Sequence, residues 1–286
     1  MDALPEKTPC YSCEFFPPRN PEAAARLRAT GERLAKLQPG FFSVTYGAGG
    51  STREKTFATV LELRDNTGIE AAPHLSCVGS SVEDLCAVLA SYRDRDLSHI
   101  VALRGDLPSG SAGLGSLRYA SELVELIRRQ HGDYFHIEVA CYPEFHPQAA
   151  SVRQDLDNFR RKVDAGANGA ITQYFYNVDA YFRFIDSCQG LGIDIPVVPG
   201  IMPITNCTQL LRFSEACGAE IPHWILKRLR DFGDDRDAIL EFGIDVTTAL
   251  CEKLLLNGVP GLHFYTMNQA VATETIWQNL GLQTGC

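Results

Sequence analysis

The chain repeats one pattern from end to end: a short apolar, β-rich run, then an amphipathic stretch with helical periodicity. The strand-like runs are CYSCEFF (10–16), FFSVTY (41–46), EAAPHLSC (70–77), HIVALR (99–104), HIEVACY (136–142), GAITQYF (169–175), IPVVPGI (195–201) and GLHFYT (261–266). Between them lie segments such as PEAAARLRATGERLAKL (21–37), SVEDLCAVLASYRD (81–94), YASELVELIRRQ (119–130) and SVRQDLDNFRRKVDAG (151–166). Several open on Ser, Asp or Pro and close near Gly, as helix termini do. Strict strand–helix alternation predicts parallel strands joined by helical crossovers. The strand runs show little alternation of their own, which predicts strands covered on both faces. Eight units in 286 residues fit an α/β fold of the (β/α)8 TIM barrel type. The stretch 205–258 is longer than one crossover needs, so extra helices are expected between strands 7 and 8, including IPHWILKRLRDF (221–232). No Pro/Gly linker or shift in composition divides the chain, and a single barrel domain over 1–286 is expected. The competing architecture is an open doubly wound sheet, which would carry a nucleotide fingerprint. GAGGST (47–52) lacks the third glycine of that motif, and there is no Walker loop.

A formal net charge of −9 with no basic stripe argues against nucleic acid as a partner and for a small molecule. No apolar run reaches the length of a membrane span. The N-terminal segment lacks the basic and apolar regions of a secretory signal. A cytoplasmic location with reduced thiols is therefore expected for the ten cysteines. Cys10 and Cys13 form a lone C-x-x-C, whose odd spacing on a strand puts the two on opposite faces. No second pair stands at a metal-ligand spacing, and no metal is expected.

In barrels of this type, chemistry sits at the C-terminal ends of the strands. The residues closing the predicted strands are Glu14, Thr45, His74, Asp106, Tyr142 and Gln173. Each alone reads as a solvated edge residue; six on one predicted rim form a ligand site. Glu14 lies among apolar neighbours, with no Lys or Arg from the start of its run until Arg19. Burial there favours the protonated carboxyl, the state a general acid needs. No Lys closes a strand, which disfavours a Schiff-base aldolase, and no G-x-S-x-G elbow is present. One acid, a second carboxylate, neutral hydrogen-bonding groups and aromatics suit a flat polar cofactor or heterocycle. A second group lies on the fifth crossover: Tyr142, His146, Asp155, Asn158, Arg161 and Lys162. Asp155, Asn158 and Lys162 share one helix face by spacing. Taken alone, such a face is more often solvated; the functional reading is a grip on ribose and diphosphate.

The segments EFFPP (14–18), VTYGAGGSTR (44–53), PHLSC (73–77), ALRGDLP (102–108), ACYPEFHP (140–147), RRKVDAGANGAITQYFY (160–176), PVVPGIMPITN (196–206) and GLHFYTMN (261–268), in this order, resemble the methylenetetrahydrofolate reductase family in its short bacterial form. The likeness runs from about Cys10 to Leu280. It implies a flavoprotein of folate and one-carbon metabolism, feeding methionine biosynthesis, that converts 5,10-methylenetetrahydrofolate to 5-methyltetrahydrofolate. FAD is the implied cofactor, NADH or NADPH the implied ping-pong co-substrate, and self-association the implied assembly. Under the resemblance Glu14 matches the catalytic acid that opens the folate ring to an iminium. Asp106 matches a carboxylate beside flavin and folate, favouring that cation and tuning the flavin. Gln173 matches a pterin contact, and Gln209 and Phe213 match substrate and nicotinamide contacts. Thr45, His74, Arg104, Gly105, Asp106, Tyr119, Ala120, Tyr142, His146, Asp155, Asn158, Arg161 and Lys162 match FAD contacts, which favours the ligand-gripping reading of the fifth crossover.

In two places the chain departs from the pattern. Gln269 stands where many members carry Arg, which removes a cation for the folate's glutamate tail and predicts weaker discrimination between mono- and polyglutamylated substrate. The loop PSGSAGLGSL (108–117) is expected either to act as a lid or to be a plain flexible connection. Two other functions compete: a flavin-free reductase on the same barrel, and a non-catalytic folate- or flavin-binding barrel.

Overall fold

The structure is a computed structural model and describes residues 9–46, 50–105 and 115–282. Eight predicted strand positions hold nine strands: β1 (Cys10–Phe15), β2 (Phe41–Val44), β3 (Glu70–Ser76), β4 (His99–Leu103), β5 (His136–Cys141), β6 (Gly169–Thr172), β7 (Val197–Val198), β8 (Gly200–Ile201) and β9 (Gly261–Tyr265). The crossover helices are α1 (Pro21–Ala35), α2 (Gly50–Thr67), α3 (Val82–Arg93), α4 (Ala120–His131), α5 (Val152–Asp164) and α6 (Val178–Gly190). Three helices, α7 (Cys207–Cys217), α8 (His223–Phe232) and α9 (Arg236–Leu256), separate β8 from β9, and α10 (Val271–Asn279) follows. All pairings are parallel, in the order β7-β6-β5-β4-β3-β2-β1-β9-β8. This is the expected TIM-barrel architecture, including the extra helices.

The helices begin where side chains supply the missing acceptors. Asn20 accepts from Ala23 N–H ahead of Pro21, and Ser81 and Asp84 cap α3 reciprocally. Ser151, Asn206 and Asp235 do the same for α5, α7 and α9. Each such cap stabilises its helix by about 1 kcal/mol.

The seventh strand position differs from expectation because Pro199 interrupts it. Proline cannot donate to a ladder, and the chain changes neighbours there: Val197 pairs with Ala170 of β6, while Gly200 pairs with His263 of β9. The Pro199 carbonyl still accepts from His263 N–H at 3.0 Å. Gly200 N–H donates to Thr172 Oγ1 at 2.9 Å. A Cβ at Gly200 would lie 2.1 Å from the Thr172 carbonyl oxygen and 2.6 Å from the Tyr265 ring. The β7/β8 pair thus closes the sheet only because residue 200 has no side chain.

The strands alternate more than their sequences imply. Outward residues Tyr11, Cys13, Phe15, Phe42, Val44, Ile137, Val139, Leu262 and Phe264 pack with the helices in the main core. Burying each large one contributes roughly 1.5–3 kcal/mol. The opposite parity faces the lumen, where Phe41, Ala72, Val101 and Ile171 form a small inner core. Polar residues take the remaining inward positions, among them Ser12, Ser43, His74, Ser76, Glu138 and His263, all buried. Parity therefore separates two different environments, helix layer and lumen. The expectation of strands covered on both faces holds, with helices on one side and the lumen on the other.

A third cluster joins Tyr174, Tyr176, Met202 and Ile204, beyond β6 and β8, to Leu210, Ile225, Leu229 and Ile239 of α7–α9. The extra helices therefore pack over the C-terminal rim on that side. Among the described residues, no helix is long and apolar enough to cross a membrane. Among the described residues, eight cysteines are free.

Candidate active site

Glu14 is the last inward-facing residue of β1, and its backbone is held from β9. Its carbonyl accepts from Thr266 Oγ1 at 2.6 Å and from Thr266 N–H at 3.3 Å. Two residues on, Asn268 accepts from Phe16 N–H at 3.0 Å and donates to the Phe16 carbonyl at 2.9 Å. Met267 and Asn268 both have left-handed backbone, at φ 53° and 55°. That turn aims the Asn268 amide back at β1. Asn tolerates this conformation better than most residues.

The Glu14 side chain is 16% exposed, with Oε2 3.4 Å from Nε2 of His74 and 3.5 Å from Nε2 of His263. Both imidazole nitrogens are buried, and neither is aligned as a hydrogen bond. His263 is fixed through its other nitrogen, Nδ1, 2.7 Å from Ser12 Oγ. Burial lowers the His74 pKa to about 4 against the attraction of Glu14, with His263 lowering it further. His74 is therefore neutral at pH 7. A neutral imidazole nitrogen offers a donor or an acceptor according to tautomer. His74 Nε2 thus stands beside the Glu14 carboxyl without a charge at pH 7.

Tyr265, next to Glu14 in register, donates to the Thr172 carbonyl at 2.7 Å. Burial, reinforced by Glu14, raises its pKa well above the ordinary value.

The rest of the rim carries the FAD set implied by resemblance. Thr45 is half-buried just past β2; its N–H donates to Phe15 and its carbonyl accepts from Thr56. Arg104 donates to Gln148, and Gly105, at φ +88°, would put a Cβ 1.9 Å from Ser76 Oγ. The Tyr142 and His146 rings meet at 4.7 Å. His146 N–H donates to Asp155 at 2.9 Å. Lys162 reaches from α5 to the Ala140 carbonyl of β5, with Asp155 and Arg104 in its field, and burial lowers its pKa. Arg161 donates to Asn158 at 3.4 Å. The expected one-face group of Asp155, Asn158 and Lys162 is half-buried and turned toward the barrel. Tyr119 is 50% exposed, beside Ala120 at the start of α4.

Two shallow clefts open on the α7 side. One, of about 200 Å³ including space open to solvent, is lined by residues including Met202, Gln209, Phe213 and Met267. The other, of about 170 Å³, includes Tyr142, Glu144, Gln173 and Tyr174. Gln173 turns its Oε1 onto Tyr174 N–H at 3.0 Å, which leaves its amide NH2 to donate elsewhere. Glu14 lines neither cleft. Gln269 is exposed on the turn after β9. Asp106 and most of the 108–117 loop lie outside the described residues.

Sequence reasoning missed His263, Ser12 and Glu144. His263 and Ser12 sit mid-strand, and only their parity with Glu14 and Tyr265 signals that they share its face. Glu144 was hidden in a loop. Its carboxylate accepts from Glu220 N–H at 2.8 Å, and burial raises its pKa.

The profile of the methylenetetrahydrofolate reductase family matches residues 1–281. The chain belongs to this family. It is 42% identical over 274 residues to the 5,10-methylenetetrahydrofolate reductase of Escherichia coli (strain K12), covering 96% of this chain and 91% of that protein. The corresponding protein of Buchnera aphidicola subsp. Schizaphis graminum is 39% identical over 282 residues, covering 99% and 95%. "Methylenetetrahydrofolate reductase (NADH) 1" of Zea mays is 36% identical over 295 residues, covering 99% of this chain but 50% of that protein. Among solved structures, a Clostridium thermocellum protein described as binding two copies of 5-methyl-5,6,7,8-tetrahydrofolic acid superposes with a TM-score of 0.69 at 17% identity, covering 95% and 93%. At that identity the likeness supports the fold alone. Membership of the methylenetetrahydrofolate reductase family makes the chain an oxidoreductase of folate one-carbon metabolism.

Proposed function

We propose that the chain is a flavin-dependent methylenetetrahydrofolate reductase in which Glu14 is the general acid. The observation that carries this is the Glu14 carboxyl, half-buried at the open end of the lumen between two imidazoles. The substrate's methylene bridge resists hydride while it joins two nitrogens. Glu14 delivers a proton to the departing nitrogen. The carbon–nitrogen bond breaks with its electron pair on that nitrogen, leaving a folate iminium. Hydride addition at the iminium carbon gives the methyl group, and Glu14 regains its proton from solvent. His74 and His263 flank the carboxyl at 3.4 and 3.5 Å. The free amide NH2 of Gln173 suits a pterin acceptor. Gln209 and Phe213 line a cleft for substrate or nicotinamide.

The rim residues fit FAD. Among the described residues, Arg104, Arg161 and Lys162 have no carboxylate within ion-pair distance. Three cations without an ion pair match a diphosphate, and Asp155 and Asn158 match ribose hydroxyls. Thr45, His74, Gly105, Tyr119, Ala120, Tyr142 and His146 complete the FAD set, with Asp106 assigned by resemblance. Bound flavin supplies the hydride, replenished by NADH or NADPH. NADH is the nucleotide in the plant relatives' names.

Anaerobic titration of the purified protein with each nicotinamide nucleotide tests this reading. Flavin absorbance should bleach, then return when methylenetetrahydrofolate is added. Folate reduction by a protein without flavin absorbance would establish the flavin-free reductase instead. Flavin bleaching that methylenetetrahydrofolate does not reverse would leave the non-catalytic binding barrel.

A further inference from the structure

The lumen end opposite Glu14 carries a second polar group that the reductase chemistry does not use. His99 and His136 are the first residues of β4 and β5 and are direct register partners. Glu138 lies two residues beyond His136, and therefore on the same strand face. His136 Nε2 is 3.1 Å and His99 Nε2 3.9 Å from Glu138 Oε1. The three sets of ligand atoms lie within 4.8 Å of one another. We propose that His99, His136 and Glu138 bind a divalent transition ion of the zinc type.

Four observations carry the proposal. First, His99 Nε2 and Glu138 Oε2 are buried and lack a hydrogen-bond partner. Each such orphan costs about 1–3 kcal/mol, and one cation would satisfy both. Second, the positions are constrained. The His99 ring packs against Phe41 at 4.2 Å and His136 at 4.7 Å. The carboxylate lies over Gly169, where a Cβ would come within 2.5 Å of Oε2. Third, the distances suit a small ion. Ligand bonds of about 2.0–2.2 Å in a tetrahedron place ligand atoms about 3.4 Å apart; Glu138 Oε1 lies 3.1 Å from His136 Nε2, with which it shares a hydrogen bond that an ion would replace, and 3.9 Å from His99 Nε2. Fourth, the site has a way in. The His136 side chain is 51% exposed, whereas those of His99 and Glu138 are each 9% exposed, so an ion enters from the His136 side and keeps water as its fourth ligand.

Two imidazoles and one carboxylate are borderline ligands. They favour zinc and its neighbours over magnesium or calcium, which take mainly oxygen. Sequence spacing alone gives no such group, because β4–β5 pairing creates it. Bridging two adjacent strands at the end away from the chemistry, the ion would act as a staple on the barrel.

The test is calorimetric titration of Zn²⁺ into the purified, chelator-treated protein, followed by anomalous scattering from zinc-soaked crystals. One equivalent should bind, with an anomalous peak between His99, His136 and Glu138. His136→Ala, at a half-exposed position that leaves the core intact, should weaken binding at least ~10²-fold. Glu138→Gln should do the same, and zinc should raise the Tm of the wild type but not of either variant. Zinc heats unchanged by His136→Ala, an anomalous peak only at cysteines, or no binding at all would each overturn the proposal.

Discussion

Glu14 and His74 face each other across the lumen rim, with Oε2 3.4 Å from Nε2. Their strands, β1 and β3, are not neighbours; β2 lies between them. The contact is therefore made through the lumen, and it joins a carboxyl to an imidazole held neutral at pH 7.

Replacing Glu14 by Gln keeps the shape and removes the acid. Reduction of bound flavin by nicotinamide nucleotide should survive, while folate reduction should fall at least ~10²-fold, the usual contribution of a general acid. Stopped-flow measurement of the two half-reactions separates them. An equal loss in both would reject the assignment.

The depressed pKa of His74 makes stability depend on pH. Unfolded, His74 titrates near 6.5; folded, at about 4. Between these values the unfolded chain binds the extra proton. This contribution is complete above about pH 6.5 and is lost as pH falls through 4, and at 1.36 kcal/mol per unit it amounts to roughly 3 kcal/mol. The urea midpoint should fall between pH 7 and pH 4, and His74→Asn should flatten that slope. Parallel slopes for the two proteins would contradict the burial argument.

Asn268 clamps both peptide groups of Phe16 from a left-handed backbone. Asn268→Ala should cost about 2–3 kcal/mol, through two lost hydrogen bonds and the strain of Ala at that φ. Asn268→Gly removes the bonds without the strain and should cost about 1 kcal/mol less. Chemical denaturation of the pair checks the order, and the reverse order would show that the clamp is not the main term.

Gly200→Ala would drive its methyl group into the Thr172 carbonyl oxygen and the Tyr265 ring. The obstructing carbonyl is backbone and cannot turn aside. A loss of roughly 3 kcal/mol or more is expected, read as a lower Tm. Adding Tyr265→Phe should not restore it. A wild-type Tm for Gly200→Ala would mean that β8 shifts freely.

The amino-acid sequence alone determined the order of strands and helices, the helix starts at Pro21, Ser81 and Ser151, the extra helices before the last strand, and the strand-end positions of Glu14, His74, Tyr142 and Gln173. These follow from local rules: periodicity, side chains that cap their own helix, and the position at which an apolar run ends. Tertiary structure decided which parity of each strand faces the lumen, because helix layer and lumen both bury their residues and look alike in one dimension. It also decided that Pro199 marks a change of strand neighbours rather than an end. Closure of the sheet and its register brought His263 to Glu14, and Glu138 to His99 and His136. Register is a relation between distant segments, fixed when β1 meets β9 and β4 meets β5, and no window along the chain contains it.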